Sequence, residues 1–227
     1  MIPKLTYNNR VLSAEERDEF YKILDESINE FSECIEGIFQ LVKEVPTSNN
    51  SDYNKITNTI INIETFTNYA FCDCIVLNKL FVRATHPYEK SFLRGKLKVQ
   101  LNESFKKLYG FNEKSYKDSY FAQLESLISM FPGFKREFDE LKSDLSQISK
   151  DTWWKEERNA EVHIDAYKLY DLRHEEINES KVVMETWQLI VLFNRIDHFI
   201  CKLHRVYLDH ITGQFVKQNG YRPHLPK

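Results

Sequence analysis

Apolar residues recur in alternating steps of four and three along most of this chain. Such a pattern places the side chains on one face of an α-helix. In the first stretch the positions on this face are Phe20, Leu24, Ser27, Phe31, Cys34, Ile38, Leu41 and Val45. Ser13 and Glu16 have the spacing of a capping box, in which the hydroxyl and the carboxylate satisfy each other's backbone donors. The pattern predicts a first helix from this box to Pro46.

The second and third helices are predicted in the same way. The second has the positions Ile56, Ile60, Ile63, Thr67, Ala70, Cys74, Leu77 and Phe81. It should end before His86-Pro87, because the residue before a proline is disfavoured in the helical conformation. A third helix is predicted over about 88 to 109, with Leu93, Leu97, Leu101, Phe105 and Leu108 buried and Gly110 as its stop.

The rest of the chain predicts shorter helices followed by one long helix. Residues 115 to 130 and 134 to 150 each suit a short helix, and Asp151 can cap the next turn. The last helix has Val182, Thr186, Leu189, Phe193, Ile196, Ile200, Leu203 and Tyr207 on one face. Gly213 is predicted to end it.

These patterns predict an all-α fold, an up-and-down bundle of five or six helices. A regular four-three pattern favours nearly antiparallel packing between neighbouring helices. Only six Gly and six Pro in 227 residues leave little material for the turns of a β fold. Residues 1–213 are expected to form a single domain, and residues 214–227 an extended C-terminal tail.

Charge and cysteine usage narrow the classes of function. A net charge of −3 gives no overall attraction to nucleic acid, so any such binding must use a local patch. The four cysteines, at 34, 72, 74 and 201, are not spaced as metal ligands and are predicted to be reduced and buried. The N-terminus has no apolar signal region, and the apolar C-terminal stretch carries Glu185, Arg195 and Asp197. A soluble, cytoplasmic protein is therefore expected.

The third helix is unusually basic. Its bases, counted from 83 to 107, are Arg83, Lys90, Arg94, Lys96, Lys98, Lys106 and Lys107, against the acids Glu89 and Glu103. This is the best candidate for a patch that attracts phosphates. The alternatives are an ordinary solvated face, or a helix lying beside the acidic first helix.

Several common chemistries lack their residues. The chain has no Gly-rich phosphate loop, no Gly-x-Ser-x-Gly elbow and no Glu-x-x-His pairs of the di-iron type. His198, His204 and His210 are spaced by six residues, which rotates each by about 240° from the last. They cannot converge on one metal ion, and a surface or interfacial role is predicted for them. No metal or cofactor is expected.

Residues 153–163 are the best candidate for a functional site, because they bring an arginine, an amide and a histidine close together in the sequence. They include two tryptophans, followed by Arg158, Asn159 and His163. Imidazole exchanges protons near neutral pH, and guanidinium is always charged and matches a phosphate. The segment Arg158-Asn159-Ala160-Glu161-Val162-His163 resembles the HEPN superfamily, whose hallmark is an arginine followed by four to six residues and a histidine. Asn159 is among the residues common after that arginine, and the position ahead of a last long helix also fits.

The resemblance implies a metal-independent endoribonuclease of toxin, phage-defence or RNA-processing systems. His163 would act as general acid or base around the ribose 2′-hydroxyl and the leaving oxygen. Arg158 would hold the scissile phosphate and stabilise its developing charge, and Asn159 would orient the phosphate or a partner side chain. The product would be a 2′,3′-cyclic phosphate. An antitoxin or a nucleotidyltransferase is the implied type of protein partner.

Helical geometry adds a condition to this interpretation. His163 lies five positions after Arg158, which turns the two side chains about 140° apart around one helix. Members of the family resolve this by dimerising, so a two-fold homodimer with residues 153–163 near the axis is predicted. Trp153 and Trp154 are then interface anchors, or they pack beneath the motif within one chain.

Two alternatives to a ribonuclease stay open. Acidic residues surround the motif and would repel RNA or pair with Arg158; they are Asp151, Glu156, Glu157, Glu161 and Asp165. A salt-bridged arginine favours a non-catalytic HEPN-like module that binds nucleotide, RNA or a partner protein. The third interpretation is a helical scaffold in which the motif is a coincidence.

Overall fold

The computed structural model describes residues 13–44, 51–148, 153–163 and 166–219, and this part of the chain is all-α. Its helices are α1 Ala14–Glu44, α2 Ser51–Arg83, α3 Pro87–Leu108, α4 Glu113–Lys117, α5 Tyr120–Ile128, α6 Lys135–Ile148, α7 Trp153–His163, α8 Ala166–His174 and α9 Glu179–Asn219. A 3₁₀ turn, Pro132–Phe134, precedes α6. The predicted all-α bundle is confirmed.

The helix boundaries have local causes. At the start of α1, Ser13 N donates to Glu16 Oε2 at 2.9 Å and Glu16 N donates to Ser13 Oγ at 3.2 Å, which is the predicted capping box. His86 caps α3 through its Nδ1, with Pro87 as the first helical residue. Gly110 follows α3 with φ +82°, a conformation that costs glycine little.

The bundle is built around α2. Helices α1, α3 and α9 all pack on it, and α7 and α8 pack on the other side of α3. The core is apolar and rich in aromatic rings; its largest fully buried side chains include Phe81, Phe105, Phe121, Phe138, Phe193 and Phe199. This order of packing places the motif helix α7 directly against the basic helix α3.

Three predictions of local structure are wrong. The described residues contain more than the five or six predicted helices, because Ser119 caps a new helix within 115–130 and Ala166–His174, for which no helix was predicted, forms α8. Gly213 does not end the last helix, which continues to Asn219; one glycine costs a helix only about 1 kcal/mol. Residues 214–219 are therefore helical, and residues 220–227 lie outside the described part of the chain.

Two of the four cysteines are not buried. Cys74 is buried and Cys72 partly so, but Cys34 and Cys201 are exposed. All four are free thiols. The apolar register predicted burial for Cys34 because it lies in step with Phe31 and Ile38, which are buried.

Within the described ranges, one helix is long and apolar enough to cross a membrane by length and composition. Within α2, residues Asn54–Arg83 have the length and composition to cross a bilayer, and half of the most apolar window is buried in the fold. The core helix of a bundle has the same composition, and α2 packs against α1, α3, α5 and α9. The sequence interpretation considered only the C-terminal apolar stretch and overlooked this one.

Candidate functional site on α7

Arg158 lies against α3 and is paired with Glu103. Its Nε donates to Glu103 Oε1 at 2.7 Å, and its Nη2 contacts the same oxygen. The side chains are 20% and 44% exposed, so the pair lies at the edge of the fold and is reached by water. An acidic partner had been expected from the neighbourhood of the motif. The partner instead comes from a residue 55 positions earlier, on the neighbouring helix.

Asn159 supports the arginine from the other end. Its Oδ1 accepts a hydrogen bond from Arg158 Nη1 at 3.0 Å. All three guanidinium nitrogens thereby contact an oxygen of Glu103 or Asn159, which fixes the plane of the group. In this arrangement Asn159 orients Arg158.

His163 is the last residue of α7 and is exposed. The inward face of the helix is defined by Ala160, which is buried, and by Glu161, whose side chain is only 4% exposed. Arg158 and His163 leave the helix on opposite flanks of this face, because five helical residues turn them about 140° apart. One helix therefore does not direct both groups to one phosphate. The side chains of Trp153 and Trp154 lie outside the described part, so their roles stay predictions.

Glu161 belongs to the interface between α7 and α3. Its Oε1 lies 2.6 Å from Arg173 Nη2, and its Oε2 lies 4.0 Å from Lys96 Nζ. The carboxylate fits against Gly95, where a Cβ would overlap it. The absence of a side chain at Gly95 thus makes room for a buried, neutralised acid. This acid does not contribute to the repulsive surface that the sequence suggested.

The basic patch predicted on α3 is wrong for its central residues. Lys90, Arg94 and Lys98 are buried. Lys90 pairs with Glu179, and Arg94 donates to Glu175 at 3.0 Å and to the carbonyl of Leu172.

These cations attach the end of α8 and the start of α9 to α3. Arg17 of α1 adds a further contact to Glu179, at 2.6 Å. The sequence showed the excess of bases on α3 and offered solvent or α1 as their surroundings. The acids that neutralise Lys90 and Arg94 are more than 80 residues away in sequence.

A second polar cluster lies between α2 and α9, and the sequence interpretation missed it. His204 Nδ1 lies 3.1 Å from Glu64 Oε2, and Asn68 Nδ2 donates to Asp197 Oδ1 at 2.7 Å. Cys201 Sγ contacts Glu64 Oε1 at 3.3 Å. A surface or interfacial role was predicted for His204, and this is wrong because the residue is buried.

Burial decides the protonation of this cluster. The pKa of Asp197 is raised to about 6, chiefly by burial; the hydrogen bond from Asn68 lowers it and the nearby Glu64 raises it. Although Cys201 is exposed as a residue, its sulfur contacts Glu64 and Asp197, and partial desolvation together with these two carboxylates raises the pKa of the thiol. Cys201 is therefore held as a thiol and is not an activated nucleophile.

A signal for this cluster exists in the sequence. Asp197, Cys201 and His204 have the spacing i, i+4, i+7 and share one face of α9, while Glu64 and Asn68 are one turn apart on α2. Polar residues in register on two apolar helices can bury only if they pair. Deciding that these two helices are neighbours required the structure.

The other polar features are weaker candidates. A groove of about 520 Å³ lies between α6 and α9. Its bases are paired with acids: Arg195 with Asp144, Lys202 with Glu137 and Arg136 with Glu140. In the described ranges no three His, Cys, Asp or Glu side chains are arranged to hold a metal ion.

Comparisons with protein-family models, curated proteins and solved structures give no match to this chain.

Proposed function

We propose that this protein is a HEPN-type helical protein that acts on RNA as a metal-independent endoribonuclease. The observation that supports this best is the state of Arg158. Its guanidinium edge, oriented by Asn159, already holds an oxyanion, the Glu103 carboxylate, at a water-accessible edge of the fold. The exposed His163 is on the same short helix. A guanidinium and an imidazole are the two groups that cleavage by the RNA's own hydroxyl needs.

The chemistry follows from these groups. His163 as general base takes the proton of a ribose 2′-hydroxyl, whose oxygen attacks the adjacent phosphorus. Arg158 neutralises the charge that develops on the phosphate oxygens. The 5′-oxygen leaves with a proton from a general acid, and the products are a 2′,3′-cyclic phosphate and a 5′-hydroxyl. The nucleophile belongs to the RNA, so no metal-bound water is required.

A second copy of the chain completes the site in this proposal. Arg158 and His163 diverge on one helix, so the groups that meet one phosphate would come from two copies of α7 around a two-fold axis. An antitoxin or nucleotidyltransferase partner belongs to the same proposal because it follows from the resemblance, and the cytoplasmic location expected from the sequence stays a prediction beside it.

A non-catalytic binding or assembly module is the second candidate. The Arg158–Glu103 pair favours it, because a guanidinium that already has a carboxylate partner is not available to a substrate. Binding without cleavage is the behaviour that separates this module from an enzyme.

Cleavage of single-stranded RNA in the presence of EDTA tests the proposal. The native protein should cleave, and both Arg158→Ala and His163→Ala should lose at least about 100-fold in rate. His198→Ala and Arg136→Ala are matched controls, because they remove one exposed imidazole and one exposed guanidinium from the α6–α9 groove. Both controls should keep native activity.

The outcomes separate the two candidates. Cleavage that survives EDTA but persists in both site variants would contradict the assignment of the site. RNA binding without cleavage by a folded native protein would favour the non-catalytic module. Sedimentation velocity of the same samples tests the dimer, and a monomer that cleaves would overturn the two-copy site.

A further inference from the structure

We propose that Glu103 is a built-in competitor of phosphate, which occupies the anion position of Arg158 and sets the affinity of this site for RNA. This inference depends on the proposed action on RNA. It adds a residue on α3 that no part of the motif contains.

The geometry of the pair is that of a bound anion. Glu103 Oε1 receives Arg158 Nε and Nη2, which form the edge that a guanidinium offers to a carboxylate or phosphate. Asn159 holds Nη1 at the other end of the group. A phosphate oxygen approaching this edge must take the place of Glu103 Oε1, because one position cannot hold two anions.

The exposure of the pair makes the exchange feasible. With side chains 20% and 44% exposed, the pair is screened by water and contributes only about 0–1 kcal/mol. Two other acids on this side of the fold, Glu161 and Glu179, are held more firmly. The side chains of Glu161 and Glu179 are 4% and 8% exposed, and each contacts two cations. Among these contacts, Glu103 is the carboxylate that can leave at low cost.

The sequence also offers Glu103 an alternative partner. Lys107 lies four residues further along α3, and a glutamate that precedes a lysine by four residues is a favourable helical pair. Lys106 and Lys107 are both exposed at the end of this helix. In this proposal an anion at Arg158 turns Glu103 towards these lysines, of which Lys107 lies over the Tyr120 ring, with its Nζ 5.1 Å from the ring centroid.

The test is the affinity of Glu103→Gln for a single-stranded 2′-O-methyl RNA, which binds but lacks the nucleophile for cleavage. Glu137→Gln is the matched control, because it removes one charge from a side chain of nearly equal exposure, 43%, paired with Lys202. The competitor predicts that Glu103→Gln binds at least about threefold tighter than both the control and the native protein. Its affinity should also depend more steeply on salt, by a slope of about 0.7, because the variant gains an ion pair on binding whereas the native protein exchanges one ion pair for another.

The combination with Arg158→Ala makes the test specific. In that background Glu103→Gln should give no gain, because the gain passes through Arg158. Equal affinities of Glu103→Gln and Glu137→Gln, or a gain that survives without Arg158, would overturn the competitor.

Failure of the proposed function would give a different result. RNA binding by the native protein that is unaffected by Glu103→Gln overturns the competitor alone. Absence of RNA binding by the native protein and by Glu103→Gln overturns both proposals. Melting curves followed by circular dichroism confirm that each variant is folded.

Discussion

The α3–α7 and α2–α9 interfaces both pair charged groups, but they differ in access to water. At the first, Arg158 and Glu103 meet at an exposed edge. At the second, Glu64, Asp197 and His204 are all buried between two long helices. Exposed pairs exchange partners easily and contribute little to stability, whereas a buried charge that loses its partner is costly. The first interface is therefore suited to binding, and the second determines how α2 and α9 fit together.

The largest expected effect comes from breaking the buried cluster. His204→Ala removes the imidazole that contacts Glu64 Oε2. The buried Glu64 carboxylate is then left beside Asp197 without this partner. We expect a loss of about 3 kcal/mol in the free energy of unfolding, measured by urea denaturation. Lys202→Ala removes an exposed pair from the same helix and should cost less than about 1 kcal/mol. Equal losses would contradict the distinction between the two interfaces.

The next effect is a dependence on pH. The pKa of Asp197 is raised from 3.8 to about 6, mainly by burial, so the folded protein keeps this proton at a pH where the unfolded chain has lost it. The contribution of Asp197 to the free energy of unfolding is therefore greatest below pH 3.8, and it is lost as the pH rises to about 6.

Asp197→Asn removes this fall while retaining an oxygen that accepts from Asn68. The stability difference between variant and native protein should grow by about 2–3 kcal/mol in favour of the variant between pH 4 and pH 6.5. Urea denaturation across this range measures it. A difference that stays constant with pH would show that Asp197 titrates as an ordinary exposed acid.

The packing of α7 on α3 is tested by replacing two glycines with alanine, which should change the stability by a smaller amount and in opposite directions. Alanine is favoured over glycine in a helix by about 1 kcal/mol. At Gly95 the new Cβ would overlap the buried Glu161 carboxylate, and the overlap costs about 1–3 kcal/mol. We expect Gly95→Ala to destabilise by about 1 kcal/mol and to lower the melting temperature. Gly37→Ala on α1, where nothing lies within 4 Å, should be stabilising; if both variants are stabilised, α7 does not pack against Gly95.

The smallest expected effect concerns the pair that is proposed to exchange. Arg158→Met and Glu103→Gln should each cost less than about 1 kcal/mol of stability, and their double variant should show a coupling in the same range. Chemical denaturation at low and at high salt measures this. A coupling above about 2 kcal/mol would mean that the pair is a structural support, and would count against its release by RNA.

Local patterns were sufficient where the structure depends on neighbours in sequence. The four-three register predicted α1, α2, α3 and α9 because helix periodicity follows directly from side-chain spacing. The capping box at Ser13 and the stop at Gly110 are also local. The error at Gly213 is instructive, since a single glycine weakens a helix without terminating it.

The candidate site was predictable only as a set of residue types. The sequence singled out Arg158, Asn159 and His163 and their angular separation on a helix. The sequence did not show that Glu103 pairs with Arg158, nor that the Glu161 carboxylate packs against Gly95. Both are contacts between helices more than 50 residues apart in sequence.

The sequence by itself determined that this chain is helical, which faces of its helices are apolar, and that α7 carries an arginine, an amide and an imidazole. The tertiary structure decided which charges are neutralised: it buried Lys90 and Arg94 of α3 against the end of α8 and the start of α9, and it left the Arg158–Glu103 pair at the surface. The physical reason is the distance along the chain over which each interaction acts. Periodicity and capping act within one or two turns, whereas desolvation and ion pairing depend on which helices become neighbours, and packing of the whole chain fixes that.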